Sequence, residues 1–85
     1  MEKRRHNVLV LGAGGWGTAL ALVLHRNGHR VRIWAYDPQE VKNIRKKREN
    51  VRFLPGVPLP PEIEVDTDLP GLLGGQSLIL SASPS

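Results

Sequence analysis

The sequence contains no cysteine, which excludes disulfides, thiolate nucleophiles and cysteine-ligated zinc in one step. Aromatic residues are scarce, two Trp, one Tyr and one Phe, too few to interleave with cations as a stacking platform for single-stranded nucleic acid requires. Long hydrophobic runs are missing as well. The apolar stretch Val8-Leu9-Val10-Leu11 stops at Gly12, so neither a signal-peptide core nor a membrane span can be drawn through it. No internal repeat is visible. What remains is a chain of 85 residues, 40% hydrophobic and 24% charged, a composition expected of a soluble, cytoplasmic globular protein. At that length residues 1–85 make one small domain with no room for a second.

Twelve Lys and Arg against eight Asp and Glu leave a net charge of +4, and a basic excess invites an anionic partner. Much of it lies in Lys3-Arg4-Arg5 and in Arg45-Lys46-Lys47-Arg48. Without aromatics between the cations both runs read as solvated surface, and nucleic acid is the less favoured partner.

Val8-Leu9-Val10-Leu11 is short, continuous, partly β-branched and ended by glycine, the pattern of a strand buried on both faces of a parallel sheet. From Thr18 the apolar positions Ala19, Leu20, Val23 and Leu24 take helical spacing, and Asn27-Gly28 supplies a stop. Val31 to Ala35 returns to strand character. Asp37-Pro38-Gln39-Glu40 is a helix start with a cap, a first-turn proline and an acid three residues after the cap; this helix is expected to run to about Arg48. Four prolines between residues 54 and 61 exclude regular structure there. Ile63 to Asp66 reads as a third strand, Asp68-Leu69-Pro70 as the start of a short helix, and Ser77 to Ser81 as a fourth strand. Such alternation predicts an α/β fold, a Rossmann-like parallel sheet with β-α-β-α-β-α-β connectivity and strand order 3-2-1-4.

Gly12-Ala13-Gly14-Gly15-Trp16-Gly17 matches G-x-G-x-x-G directly after the first strand and at the mouth of the first helix. In that setting Gly12 makes the tight turn, Gly14 lets the backbone approach a pyrophosphate, and Gly17 permits close helix-sheet packing. The anion meets unpaired amides at the positive end of the helix dipole. A dinucleotide site also wants an acid about twenty residues on to bind a ribose, and Asp37 stands there. Two readings of it stay open, ribose acceptor or N-cap of the next helix. If Ala35 and Tyr36 line the ribose pocket instead, no carboxylate repels a 2′-phosphate, and either NAD or NADP is admissible. Tryptophans more often belong to a core, but Trp16, inside the loop, is expected to stand beside the cofactor. Phe53 is expected to anchor the proline-rich loop to the core. His6, His25 and His29 have no spacing that converges on a metal, and all three read as surface residues. No catalytic pair is evident.

These residues resemble the amino-terminal part of NAD(P)-dependent glycerol-3-phosphate dehydrogenase of the soluble bacterial type. The likeness is carried by Gly12 through Ala21, Asn27-Gly28-His29, Ile33-Trp34, Phe53-Leu54-Pro55-Gly56 with Leu59-Pro60, Thr67-Asp68-Leu69 and Pro84-Ser85. It implies that Gly15, Trp16 and Tyr36 bind the cofactor. It further implies reduction of dihydroxyacetone phosphate to glycerol-3-phosphate for phospholipid synthesis, with catalytic lysines and the substrate pocket lying beyond Ser85. The chain would then be a fragment of a dinucleotide-binding domain, inactive alone; a free-standing or engineered nucleotide-binding module is the alternative. Two features depart from the family pattern: Tyr36 where a basic residue or His is frequent, and Ser81 and Ser83 where the fourth strand is usually apolar. Hydroxyls there would weaken a buried strand. Should the sheet stop at the fourth strand, its exposed edge predicts a homo-oligomer.

Overall fold

The computed structural model describes residues 5–50 and 55–82. They form β1 (Asn7–Leu11), α1 (Gly15–Arg26), β2 (Arg30–Trp34), α2 (Pro38–Lys47), β3 (Glu64–Asp66), α3 (Leu69–Leu73) and β4 (Leu78–Ser81). All strand pairs are parallel, and the sheet order is β3-β2-β1-β4. The chain steps outward from β1 through β2 to β3, then crosses back to set β4 on the other side of β1. That reversal opens a crevice at the carboxyl ends of β1 and β4.

Register explains which side chains build the core. Val8 pairs with Val31 and Val10 with Ile33, while Ile33 pairs with Val65. Since alternate residues share a face, these form one apolar surface, covered by Ala21 of α1 and by Val41 and Ile44 of α2. Leu9 lies opposite Arg32 on the other face. There the Arg32 guanidinium donates to the carbonyls of Leu72 and Gly74 and ties α3 and the turn after it to the sheet. Val8, Leu9 and Val10 are all buried, as the continuous apolar run predicts for a central strand.

Several expectations change in detail. The third strand begins at Glu64 rather than Ile63, because Ile63 closes a turn by donating to the Pro60 carbonyl. The proline-rich residues 55–61 form no helix or strand, yet Leu59 among them is in the core, as is Ile63 just after them. The Leu59 amide bonds the Arg48 carbonyl, and the Arg48 guanidinium reaches the carbonyls of Pro60 and Ile63. Arg45 donates to the Val65 carbonyl at 2.8 Å and pairs with Asp66 at 3.2 Å. Arg45, Lys46 and Lys47 of that run are exposed and Arg48 is half-buried, and the two arginines also hold the chain's own backbone and carboxylate. Ser81 is exposed, so a hydroxyl there carries no burial penalty. Phe53, Leu54, Lys3, Arg4, Ser83, Pro84 and Ser85 fall outside the described residues.

Candidate dinucleotide site

At the carboxyl ends of β1, β2 and β4 lies a cleft of about 480 Å³. Its floor is the glycine loop, its sides are Trp34, Tyr36 and Glu40, and Ser81 and Ala82 close it. Gly12 has φ 117°, a conformation that side chains oppose, and its amide bonds the Trp34 carbonyl at 2.8 Å. The turn is thereby fastened to β2. Gly17 faces Gly12 so closely that a Cβ would collide with the Gly12 carbonyl, and it would stand 3.3 Å from Ala82 Cβ. Gly14 is different: its φ is −69° and a Cβ there meets nothing within 4 Å. Neither backbone nor packing demands glycine at 14, a residue of the cleft lining.

The three helix starts divide in the same way. Asp37 caps α2 by accepting the Gln39 amide at 2.9 Å, and Asp68 caps α3 through the Gly71 amide at 3.3 Å. Helix α1, with Gly14 at its N-cap position, has no side-chain cap and no acid in its first turn, while His25 and Arg26 sit in its last. The amides of Gly14, Gly15 and Trp16 meet no acceptor among the described residues. With the dipole's positive end uncompensated, these donors can hold an anion.

The predicted residues divide into two groups. Gly12, Ala13, Gly14, Gly15, Trp16 and Tyr36 all line the cleft, and Gly17 packs behind it. Trp16 is 69% exposed and Tyr36 85%; Trp16 is thus no core residue, because the first turn of α1 projects it over the cleft rather than into the sheet. Trp34 is half-buried and donates its indole N–H to the Thr67 carbonyl at 2.9 Å. Asp37 turns to its own helix and lines a neighbouring depression of about 390 Å³ with Gln39 and Lys47. His6 and His29 are brought together, the His6 amide donating to His29 Nδ1 at 3.1 Å, and His25 pairs with Glu62 at 3.3 Å. Among the described residues no three His, Asp or Glu side chains gather to hold a metal, and no helix is long and apolar enough to cross a membrane.

Sequence reasoning missed Asn50 and Glu40. In the sequence Glu40 reads only as a first-turn acid, yet it lines the cleft. Asn50 is 1% exposed and donates to the Ala13 carbonyl and to Thr18 Oγ1. No motif marks it; only the buried end of α2's following turn does.

Residues 7–85 match the family described as NAD-dependent glycerol-3-phosphate dehydrogenase N-terminus. The chain belongs to that family. It is 51% identical over 79 residues to glycerol-3-phosphate dehydrogenase [NAD(P)+] of Geobacillus thermodenitrificans, covering 93% of this chain and 23% of that protein. The enzyme of the same name from Alcanivorax borkumensis is 44% identical over 85 residues, 100% of this chain and 25% of the relative. The crystal structure of glycerol-3-phosphate dehydrogenase from Coxiella burnetii superposes with a TM-score of 0.88 at 43% identity, over 95% of this chain and 25% of that one. The glycerol-3-phosphate dehydrogenase of Saccharomyces cerevisiae gives 0.79 at 26% identity, over 95% and 27%. The chain thus spans about a quarter of the length of these relatives.

Proposed function

We propose that the chain is the dinucleotide-holding part of an oxidoreductase that reduces dihydroxyacetone phosphate to glycerol-3-phosphate with NADH or NADPH. The observation that carries this reading is the uncapped start of α1, whose free amides face a cleft that Gly14 lines. The amides of Gly14, Gly15 and Trp16 hold the pyrophosphate, Gly12 shapes the turn, and Ala13 and Gly17 keep the loop against the sheet. The Tyr36 ring covers the adenosine ribose side. Asp37, engaged as a cap, leaves that end tolerant of a 2′-phosphate. When bound, the nicotinamide supplies the hydride; this chain's own share is to bind and orient it. A cytoplasmic setting belongs to the same reading, as does a homo-oligomer formed at β4.

A heteronuclear NMR titration with NAD or ADP tests the binding half. We expect a weak dissociation constant of about 1 mM, ~−4 kcal/mol, because only one side of the ligand is held. Gly14→Val fills the space the pyrophosphate needs while meeting no protein atom within 4 Å at its Cβ, so it keeps the fold and abolishes binding. Equal affinity in that variant would refute the reading.

Hydride transfer further needs the nicotinamide and the ketone in near-attack geometry, with an acid or electrophile at the carbonyl oxygen. The described residues lining the cleft include no lysine, histidine or arginine, and its one carboxyl group, that of Glu40, stands on the wall with Tyr36, the side this reading gives to the ribose. The 85-residue chain alone is therefore expected to oxidise NADH with dihydroxyacetone phosphate no faster than buffer does. Turnover above buffer that Gly14→Val removes would contradict this.

A further inference from the structure

Every peptide bond in the described loop is trans, so a carbonyl and the N–H of the next residue belong to one plane and point in opposite directions. Turning the Ala13 carbonyl inward thus turns the Gly14 N–H outward. The Ala13 carbonyl is held inward by two groups. Asn50 donates to it through Nδ2, and Thr18 Oγ1 lies 3.4 Å away. Asn50 Nδ2 also donates to Thr18 Oγ1 at 2.9 Å, leaving the hydroxyl hydrogen for the carbonyl. The direction of the amide is settled by chemistry, since a carbonyl oxygen accepts only from Nδ2. Both side chains are 1% exposed, and such buried donors must be matched.

We propose that Asn50 is a positioning residue that aims the Gly14 N–H into the cleft, at the pyrophosphate of the bound dinucleotide. This rests on the dinucleotide reading above and adds to it a residue from the end of α2. Asn50 touches no ligand; it acts through the Ala13–Gly14 peptide. Without it the carbonyl is free to swing outward, replacing a donor with a lone pair that repels the phosphate. The arrangement also links α2 to the loop, because Asn50 follows directly on Arg48, the left-handed C-cap of that helix, and Glu49.

The test compares ligands with and without a pyrophosphate on the full 85-residue chain, by NMR titration with ADP and with adenosine. In Asn50→Leu we expect ADP affinity to fall about tenfold or more, as for a lost hydrogen bond to a charged group. Adenosine affinity should stay unchanged, and the Gly14 amide resonance should no longer respond to ADP. A loss of packing alone would weaken both ligands together. In Asn50→Asp the introduced carboxylate cannot donate, but once protonated it can, so its ADP affinity relative to the unaltered chain should recover as the solution is acidified from about pH 8 to about pH 5. A folded Asn50→Leu that binds ADP as tightly as the unaltered chain overturns the proposal, and so does a flat ratio in Asn50→Asp. Loss of fold in both variants assigns Asn50 to the core alone and overturns it too. Failure of the unaltered chain to bind ADP overturns the dinucleotide reading itself, which separates the two failures.

Discussion

Gly14 and Gly17 stand in one hexapeptide, yet their missing side chains serve opposite ends. At Gly17 the absence lets α1 lie on the turn that Gly12 makes, since any Cβ meets that carbonyl and crowds Ala82. At Gly14, on the cleft lining, a Cβ would meet no protein atom within 4 Å. Substitution should therefore separate stability from binding. Gly17→Val must push the helix off the sheet and is expected to destabilise the chain by ~3 kcal/mol, at or above the upper range for overpacking, because the obstructing atom is backbone and has little room to yield. Urea denaturation followed by circular dichroism measures it. A midpoint unchanged from that of the unaltered chain would show that the close approach is not what seats α1.

At the scale of elements, one ion pair joins a helix to a strand. Arg45 of α2 reaches over β3, donating to the Val65 carbonyl and pairing with Asp66. The amides of Asp68 and Thr67 hold the Asp66 carboxyl below its ordinary value of 3.8; burial opposes them, and the Arg45 charge adds a smaller lowering. A folded-state value below the unfolded one stabilises the fold above the ordinary carboxylate range, and the contribution vanishes as pH falls through the lowered folded value. Asp66→Asn should flatten the acid limb of a stability profile below about pH 4 and lower stability near neutrality, modestly because the pair is half exposed. An acid limb identical to that of the unaltered chain would exclude Asp66 from it. Elements of this kind were only partly legible in the sequence. The apolar run of β1, the Asp-Pro start of α2 and the glycine turn announce themselves because local sterics and periodicity decide them. Asn50, the two clasping arginines and the buried Leu59 and Ile63 do not, because their roles depend on partners 10 or more residues away, such as Ala13 for Asn50 at a separation of 37. Tryptophan as a residue type points to a core; the place of Trp16 inside the glycine loop is what points to the cleft, and there the structure has it.

For the whole molecule, the asymmetry of the sheet decides how it meets other molecules. β1 is flanked on both sides, whereas β4 pairs only with β1 among the described residues. Leu78 is 46% and Ile79 48% exposed, pointing to opposite faces of that strand, and Leu73 of α3 is exposed as well. No lysine or proline interrupts Leu78 to Ser81, so the unpaired backbone groups offer a template for another strand. Burying the flanking leucine and isoleucine against a second copy would contribute about 25 cal/mol per Å² of apolar surface. The 85-residue chain is accordingly expected to form a homodimer or higher oligomer through β4 in sedimentation equilibrium at tens of micromolar. Ile79→Lys, which puts a charge beside that edge without touching the glycine loop, should shift it to monomer and leave ADP binding in place. A folded 9.4 kDa species alone, unfolding cooperatively in the unaltered chain, would rule the assembly out. Assembly that survives Ile79→Lys would move the contact away from β4, leaving the exposed first turn of α1 around Trp16 as the next apolar surface to test.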